Sequence, residues 1–122
     1  MIQKRILVVD DDLLVAWSIA RALSSPEYCV QVVHRGEEAL REIARTPFDL
    51  VLLDVHLPDA NGLELLRSIR AMDPAPEVIV LSGDATEGNR ERAVREGAFR
   101  FVEKPFQLVE VERVVSSALS LR

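Results

Sequence analysis

Three observations predict an α/β fold, a parallel sheet with helices on both faces. Two runs, Ile6-Leu7-Val8-Val9 and Leu50-Val51-Leu52-Leu53, are apolar without alternation, as expected of strands covered on both sides. Strand-like and helix-like segments then alternate five times along the chain. The connections between them are short, which implies right-handed βαβ units and parallel neighbours. With 122 residues the chain is read as one domain, 1–122, large enough for a single core.

The first strand, Ile6 to Val9, runs into Asp10-Asp11-Asp12. A helix is predicted from about Leu13 to Ser24. On a 3.6-residue wheel Val15, Ser18, Ile19, Ala22 and Leu23 share the face assigned to the core, and Leu13 and Trp17 fall opposite. Ser25-Pro26 closes it, and Tyr28 to Val33 is the second strand, with Cys29 as a small core residue. Gly36-Glu37-Glu38 opens a short helix whose Ala39, Leu40, Ile43 and Ala44 repeat at helical spacing until Thr46-Pro47 breaks it.

The third strand, Leu50 to Leu53, stops at a carboxylate, Asp54, and the turn residues Pro58 and Asn61-Gly62 follow. Gly62 starts a third helix with Leu65, Leu66, Ile69 and Met72 inward, and Asp73-Pro74-Ala75-Pro76 forces a turn. Glu77 to Leu81 is the fourth strand, leading to Ser82-Gly83-Asp84. Thr86 to Glu96 reads as a polar helix anchored only by Ala93 and Val94, so it should be the loosest of the five, and Gly97 suits its C-cap. Phe99 to Glu103 is the fifth strand. After Lys104-Pro105, the last helix runs from about Gln107 to Leu121, with Leu108, Val111, Val115, Ala118 and Leu119 inward.

Composition narrows the function. Apolar residues at 48% and charged residues at 29% describe an ordinary soluble domain. A net charge of −5 gives no general attraction to nucleic acid or to anionic membrane surfaces. No apolar run approaches the roughly 20 residues that span a bilayer, and the N-terminus has no signal-peptide shape. A single cysteine rules out an internal disulfide framework, and the chain reads as cytoplasmic.

In a parallel sheet the carboxyl ends of all strands share one edge, where open α/β folds bind ligands. That edge gathers Asp10, Asp11 and Asp12 after the first strand, Asp54 after the third, Ser82 after the fourth and Lys104 after the fifth. Two carboxylates ~4 Å apart repel by about 4 kcal/mol at an effective dielectric near 20. The cluster therefore has to hold a proton, bind a cation or be offset by Lys104. Oxygen-only donors suit Mg2+ or Mn2+, and neither a second cysteine nor a paired histidine is available for zinc. Such an ion would bridge to an incoming phosphoryl oxygen, with Lys104 and Ser82 on two others and Asp54 as nucleophile. Plainer readings stand beside these: Asp12 as helix N-cap, Ser82 as a turn hydroxyl, Lys104 as a solvated lysine, and Asp59 capping its turn or the third helix. The side chains of His34 and His56 are given no ligand role.

The ordered set Val8-Val9-Asp10-Asp11-Asp12, Asp54-Val55-His56-Leu57-Pro58, Leu81-Ser82-Gly83, Gly97-Ala98 and Lys104-Pro105-Phe106 resembles the receiver domain of two-component response regulators across essentially the whole chain. The resemblance implies a flavodoxin-like (βα)5 three-layer sandwich with strand order 2-1-3-4-5. It implies Asp54 as phosphoacceptor, served by a sensor histidine kinase or a histidine phosphotransfer protein. Asp10 and Asp11 would hold Mg2+ with Asp54 and the backbone carbonyl of His56. Ser82 matches the switch hydroxyl, Phe101 the switch aromatic (where Tyr is common), and Lys104 the lysine, joined to Pro105 by a cis bond. The implied protein is not an enzyme but a switch that assists its own phosphorylation and dephosphorylation. The surface of the fourth helix, fifth strand and fifth helix would repack and offer a homodimer contact, without binding nucleic acid directly. Trp17 beside Leu13 is a candidate docking spot for the kinase.

Two rivals use similar parts. A haloacid-dehalogenase-like phosphatase would want a second Asp two residues after Asp54, where this chain has His56. A flavin- or nucleotide-binding domain would want a Gly- or Ser/Thr-rich loop where Asp10-Asp11-Asp12 stands. Output stays open: a stand-alone regulator, part of a transcription factor, or part of a hybrid kinase.

Overall fold

In a computed structural model, which describes residues 2–120, strands and helices alternate as the apolar runs require. The order is β1 (Lys4–Val9), α1 (Leu13–Leu23), β2 (Tyr28–Val33), α2 (Gly36–Arg45), β3 (Leu50–Asp54), α3 (Gly62–Arg70), β4 (Glu77–Ser82), α4 (Glu87–Arg95), β5 (Arg100–Glu103) and α5 (Leu108–Ser120). The expected end of the last helix at Leu121 lies outside the described residues. The five strands form one sheet of order β2-β1-β3-β4-β5, every pair parallel. This is the flavodoxin-like arrangement.

Strand alternation divides the core into two layers. Leu7, Val9, Val51, Leu53, Val78 and Val80 pack with residues of α2, α3 and α4. Ile6, Val8, Leu50, Leu52, Ile79 and Leu81 pack on the other face with residues of α1 and α5. β1, β3 and β4 are buried on both faces, which is why they read as unbroken apolar runs. Register aligns their ends: Val9 pairs with Leu53, Asp54 with Leu81, and Ser82 with Glu103. Among the described residues no helix is long and apolar enough to cross a membrane.

Several side chains lie elsewhere than expected. The buried line of α1 is Ala16, Ile19 and Leu23, turned by roughly 60° from the expected face at 100° per residue. The helix packs against both β2 and α5, so its buried side points between them. Leu13 and Trp17 consequently flank the buried line rather than oppose it. Cys29 is half-buried because β2 is an edge strand and only Val33 in it is fully covered. Ala44 and Leu108 are exposed, and Met72 lies beyond the end of α3, half-buried against the core. Leu63, not foreseen as inward, is buried. Val94 is 72% exposed, which leaves Ala93 as the one buried residue of α4. The expectation of a thinly anchored α4 thus holds more strongly than the sequence suggested. Gly97 follows α4 with φ +98°, a left-handed cap conformation that favours glycine.

Candidate functional site

Each acidic side chain owes its position to the end of a buried strand. β1 ends at Val9, and the next residue, Asp10, is fully buried with its backbone N–H donating to Val33 O at 3.2 Å. β3 carries Asp54 as its last residue, 4% exposed, and Asp54 Oδ1 accepts from the His56 N–H at 3.2 Å. Lys104 follows β5 and reaches between them. Its Nζ lies 2.9 Å from Asp10 Oδ2 and 3.4 Å from Asp54 Oδ2. One carboxylate oxygen each of Asp10, Asp11 and Asp54 lies within 4.8 Å of the others. The Lys104–Pro105 bond is cis, as the resemblance implied.

The electrostatics are those of a crowded, poorly solvated acid pair beside one cation. Burial first and the neighbouring Asp10 second push the Asp54 carboxyl from 3.8 up to about 6, and Lys104 and the His56 N–H only partly offset them. Burial opposes the charge on Lys104, yet Asp10 and Asp54 outweigh it and hold the ammonium above its usual value. The lysine is thus charged, and Asp54 is ionised at neutral pH at an energetic cost. Three carboxylates with no sulfur or imidazole among them fit a hard divalent cation.

The remaining expected residues fall as follows. Asp12 is the N-cap of α1, its side chain accepting from the N–H groups of Leu14 and Val15. Ser82 is buried, and its hydroxyl exchanges bonds with Asp84, accepting from Asp84 N at 2.9 Å and donating to Asp84 O at 3.3 Å. In this state it is the turn hydroxyl of the plainer reading. Phe101 is half-buried, with the Arg90 guanidinium 4.9 Å from its ring centroid. The His56 side chain is exposed. Leu13 and Trp17, 66% and 56% exposed, edge a groove of about 270 Å³ with Ala16, Ala20, Val32 and His34, and Arg21 stacks on the Trp17 ring at 5.2 Å.

Asp59 corrects a sequence expectation. It caps neither its own turn nor α3, whose cap is Asn61. Its carboxylate accepts from Gly36 N at 2.8 Å and Glu37 N at 3.0 Å, at the start of α2. Those two bonds, that from Glu37 foremost, hold its carboxyl below the usual range. Two further residues escaped the sequence. Arg90 ties α4 to β5 through Glu103 at 3.0 Å, and His34 Nδ1 sits 2.9 Å from the backbone oxygen of Asp10. Both contacts depend on how separate elements pack together, and no local pattern announces them.

Comparison with known proteins agrees with this fold. Residues 6–116 match the family model of the response regulator receiver domain. The chain is 39% identical over 107 residues to the response regulator MprA of Mycobacterium ulcerans (strain Agy99), covering 88% of this chain and 46% of that protein. The same identity and shares hold for MprA of Mycobacterium tuberculosis (strain ATCC 25618 / H37Rv). The chain therefore spans just under half the length of these relatives. Among solved structures it resembles a CheY-like receiver domain protein from Methanospirillum hungatei JF-1, with TM-score 0.92 and 30% identity over 98% of this chain and 95% of that one. It also resembles the BeF3-activated DrrB receiver domain, with TM-score 0.89 and 29% identity over 98% and 99%.

Proposed function

The chain belongs to the response regulator receiver domain family of two-component systems, and from that premise we propose that residues 1–122 form one Mg2+-dependent receiver unit that accepts a phosphoryl group on Asp54. The observation that carries this reading is the placement of Lys104 Nζ between Asp10 and Asp54, with Asp11 completing a set of close carboxylate oxygens. The donor is a phosphohistidine on a sensor kinase or phosphotransfer protein. A carboxylate oxygen of Asp54 attacks phosphorus, the new P–O bond forms as the P–N bond breaks, and the departing imidazole nitrogen takes up a proton.

Asp10, Asp11, Asp54 and the backbone carbonyl of His56 would hold the metal, which when bound neutralises carboxylate charge and polarises a phosphoryl oxygen. Lys104 stabilises charge on a second phosphoryl oxygen. Ser82 donates to a third once it leaves Asp84. That departure bears on α4, because Asp84 O also accepts from Asn89 Nδ2 at 2.9 Å. The other anchors of α4 include one buried alanine, an ion pair at 4.0 Å between its C-cap Glu96 and Arg67 of α3, and Arg90, whose exposed ion pair and ring contact each contribute about 1 kcal/mol or less. Inward rotation of Phe101 and repacking of the α4–β5–α5 surface therefore have little to overcome. That surface is the proposed site of homodimer or effector contact, while Trp17 and Leu13 are proposed to receive the donor protein. With a net charge of −5, this domain itself is read as contacting proteins and not as binding nucleic acid directly.

Incubation with acetyl phosphate tests the reading. Labelling is expected to reach one phosphoryl group per chain with Mg2+ present and to fail when the metal is chelated. Sustained release of phosphate over many turnovers would instead support an Asp-nucleophile phosphatase.

A further inference from the structure

We propose that the junction of β2 and α2, residues 34–37 (the connecting turn and the first two residues of α2), is a clasp that fixes the two acid-bearing loops relative to each other, with His34 and Asp59 as its positioning residues. The proposal rests on the phosphoacceptor reading and extends it to groups that touch neither metal nor phosphoryl oxygen.

One half of the clasp holds Asp10. A backbone carbonyl only accepts, so the 2.9 Å contact between His34 Nδ1 and Asp10 O places the ring proton on Nδ1, which donates. The Asp10 N–H donates in turn to Val33 O at 3.2 Å. The end of β2 thus secures the Asp10 backbone through both its amide hydrogen and its carbonyl. The other half holds the loop after Asp54. The N-cap residue of α2, Arg35, makes no side-chain cap bond, and the free N–H groups of Gly36 and Glu37 are satisfied by Asp59 from the β3–α3 loop. A Cβ on Gly36 would lie 2.9 Å from the Cβ of Ala60, so the loop is seated with no slack.

That loop transmits its position to the phosphoacceptor because it is closed on itself. Gly62 N donates to Val55 O at 2.7 Å, His56 bridges to Asn61, and a Cβ on Gly62 would collide with the backbone of Asp54 and Val55. Four consecutive residues at this junction therefore grip Asp10 on one side and, through Asp59, the stretch carrying Asp54 and His56 on the other. Groups that orient metal ligands commonly change metal affinity 10–100-fold when removed.

The test compares His34→Leu and Asp59→Ala with His34→Asn, whose amide N–H stands where the Nδ1–H was, and Asp59→Asn, which keeps one acceptor oxygen. For each, the Mg2+ dissociation constant is read by amide NMR titration, the labelling rate with acetyl phosphate, and the melting temperature. His34→Leu and Asp59→Ala are expected to raise the Mg2+ dissociation constant about tenfold and to slow labelling in parallel, with the Asn variants restoring most of the loss. Combining the two is expected to cost less than the product of the single effects, since both open one clasp. If either variant fails to fold, His34→Gln or Asp59→Glu, which stay polar but displace the contact by one bond, takes its place with the same expected rise. Unchanged dissociation constants and labelling rates beside a lowered melting temperature would make the turn purely structural and overturn the clasp. A parent protein that neither binds Mg2+ nor takes the label would bring down the phosphoacceptor reading as well, whereas a normal parent with unmoved variants sinks the clasp alone.

Discussion

Replacing Asp54 by Asn isolates the electrostatic cost of the acidic crevice. The Asp54 carboxyl stands at about 6 in the folded chain against 3.8 normally, chiefly because it is buried and faces Asp10. Each pH unit of that interval is worth about 1.4 kcal/mol, or about 3 kcal/mol in all. The sign follows from which state holds the proton. Below pH 3.8 both states are protonated and the residue contributes no difference. Between 3.8 and about 6 the unfolded chain ionises first, so the parent loses stability as pH rises, and the loss is complete above the folded value. Asn mimics the protonated acid and does not titrate. In metal-free buffer Asp54→Asn is therefore expected to exceed the parent by about 1 kcal/mol at pH 4.5 and about 3 kcal/mol at pH 8. Urea midpoints at the two pH values read this directly, and the melting temperature at pH 8 should rise by about 10 °C. Saturating Mg2+ should narrow the gap, because a bound cation favours the ionised parent. A variant less stable than the parent at pH 8, or a difference that ignores pH, would refute the claim that Asp54 is held ionised against its surroundings.

Other perturbations bear on separate parts of the site. Gly62→Ala sets a methyl group against the backbone of Asp54 and Val55 and should lower stability by about 3 kcal/mol; a urea midpoint within error of the parent would show that the loop yields. His56→Asn alters the exposed side chain beside Asp54 and should change the half-life of the phosphorylated protein measurably, while an unchanged half-life removes His56 from control of water attack. Trp17→Ala removes the exposed ring from the α1–β2 groove. If that ring anchors the donor with about 2 kcal/mol, transfer at subsaturating kinase slows more than tenfold, and an unaltered rate ends the docking proposal.

How much of this was legible in the sequence follows from what each feature depends on. β1, β3 and β4 announced themselves because burial on both faces leaves no polar alternation, and parallel strands then force Asp10, Asp54, Ser82 and Lys104 to one edge. The phase of α1 was not legible. A wheel shows that an apolar face exists, but the neighbours β2 and α5 decide which flank is covered, and they turned Trp17 toward a groove. Val94 and Leu108 read as anchors from hydrophobicity alone, yet both face outward, on helices whose buried residues are Ala93 in α4 and Val111, Val115, Ala118 and Leu119 in α5. Cys29 looked buried because its strand is apolar, and the edge position of β2 left it half-covered. The bonds of Asp59 and His34 were not legible for one reason: each is made to a backbone group more than twenty residues away, across loops whose approach only the assembled sheet determines.

The most direct measurement identifies which carboxylate takes up phosphorus. The protein is treated with acetyl phosphate and Mg2+, the acyl phosphate is reduced with borohydride, and the modified residue is mapped by tandem mass spectrometry. Modification at Asp54 alone is the expected result, lost in Asp54→Asn and weakened when Lys104 is replaced by Met. Modification at Asp10 or Asp11, or none at all in a folded and metal-loaded protein, would contradict the assignment of Asp54 as the nucleophile.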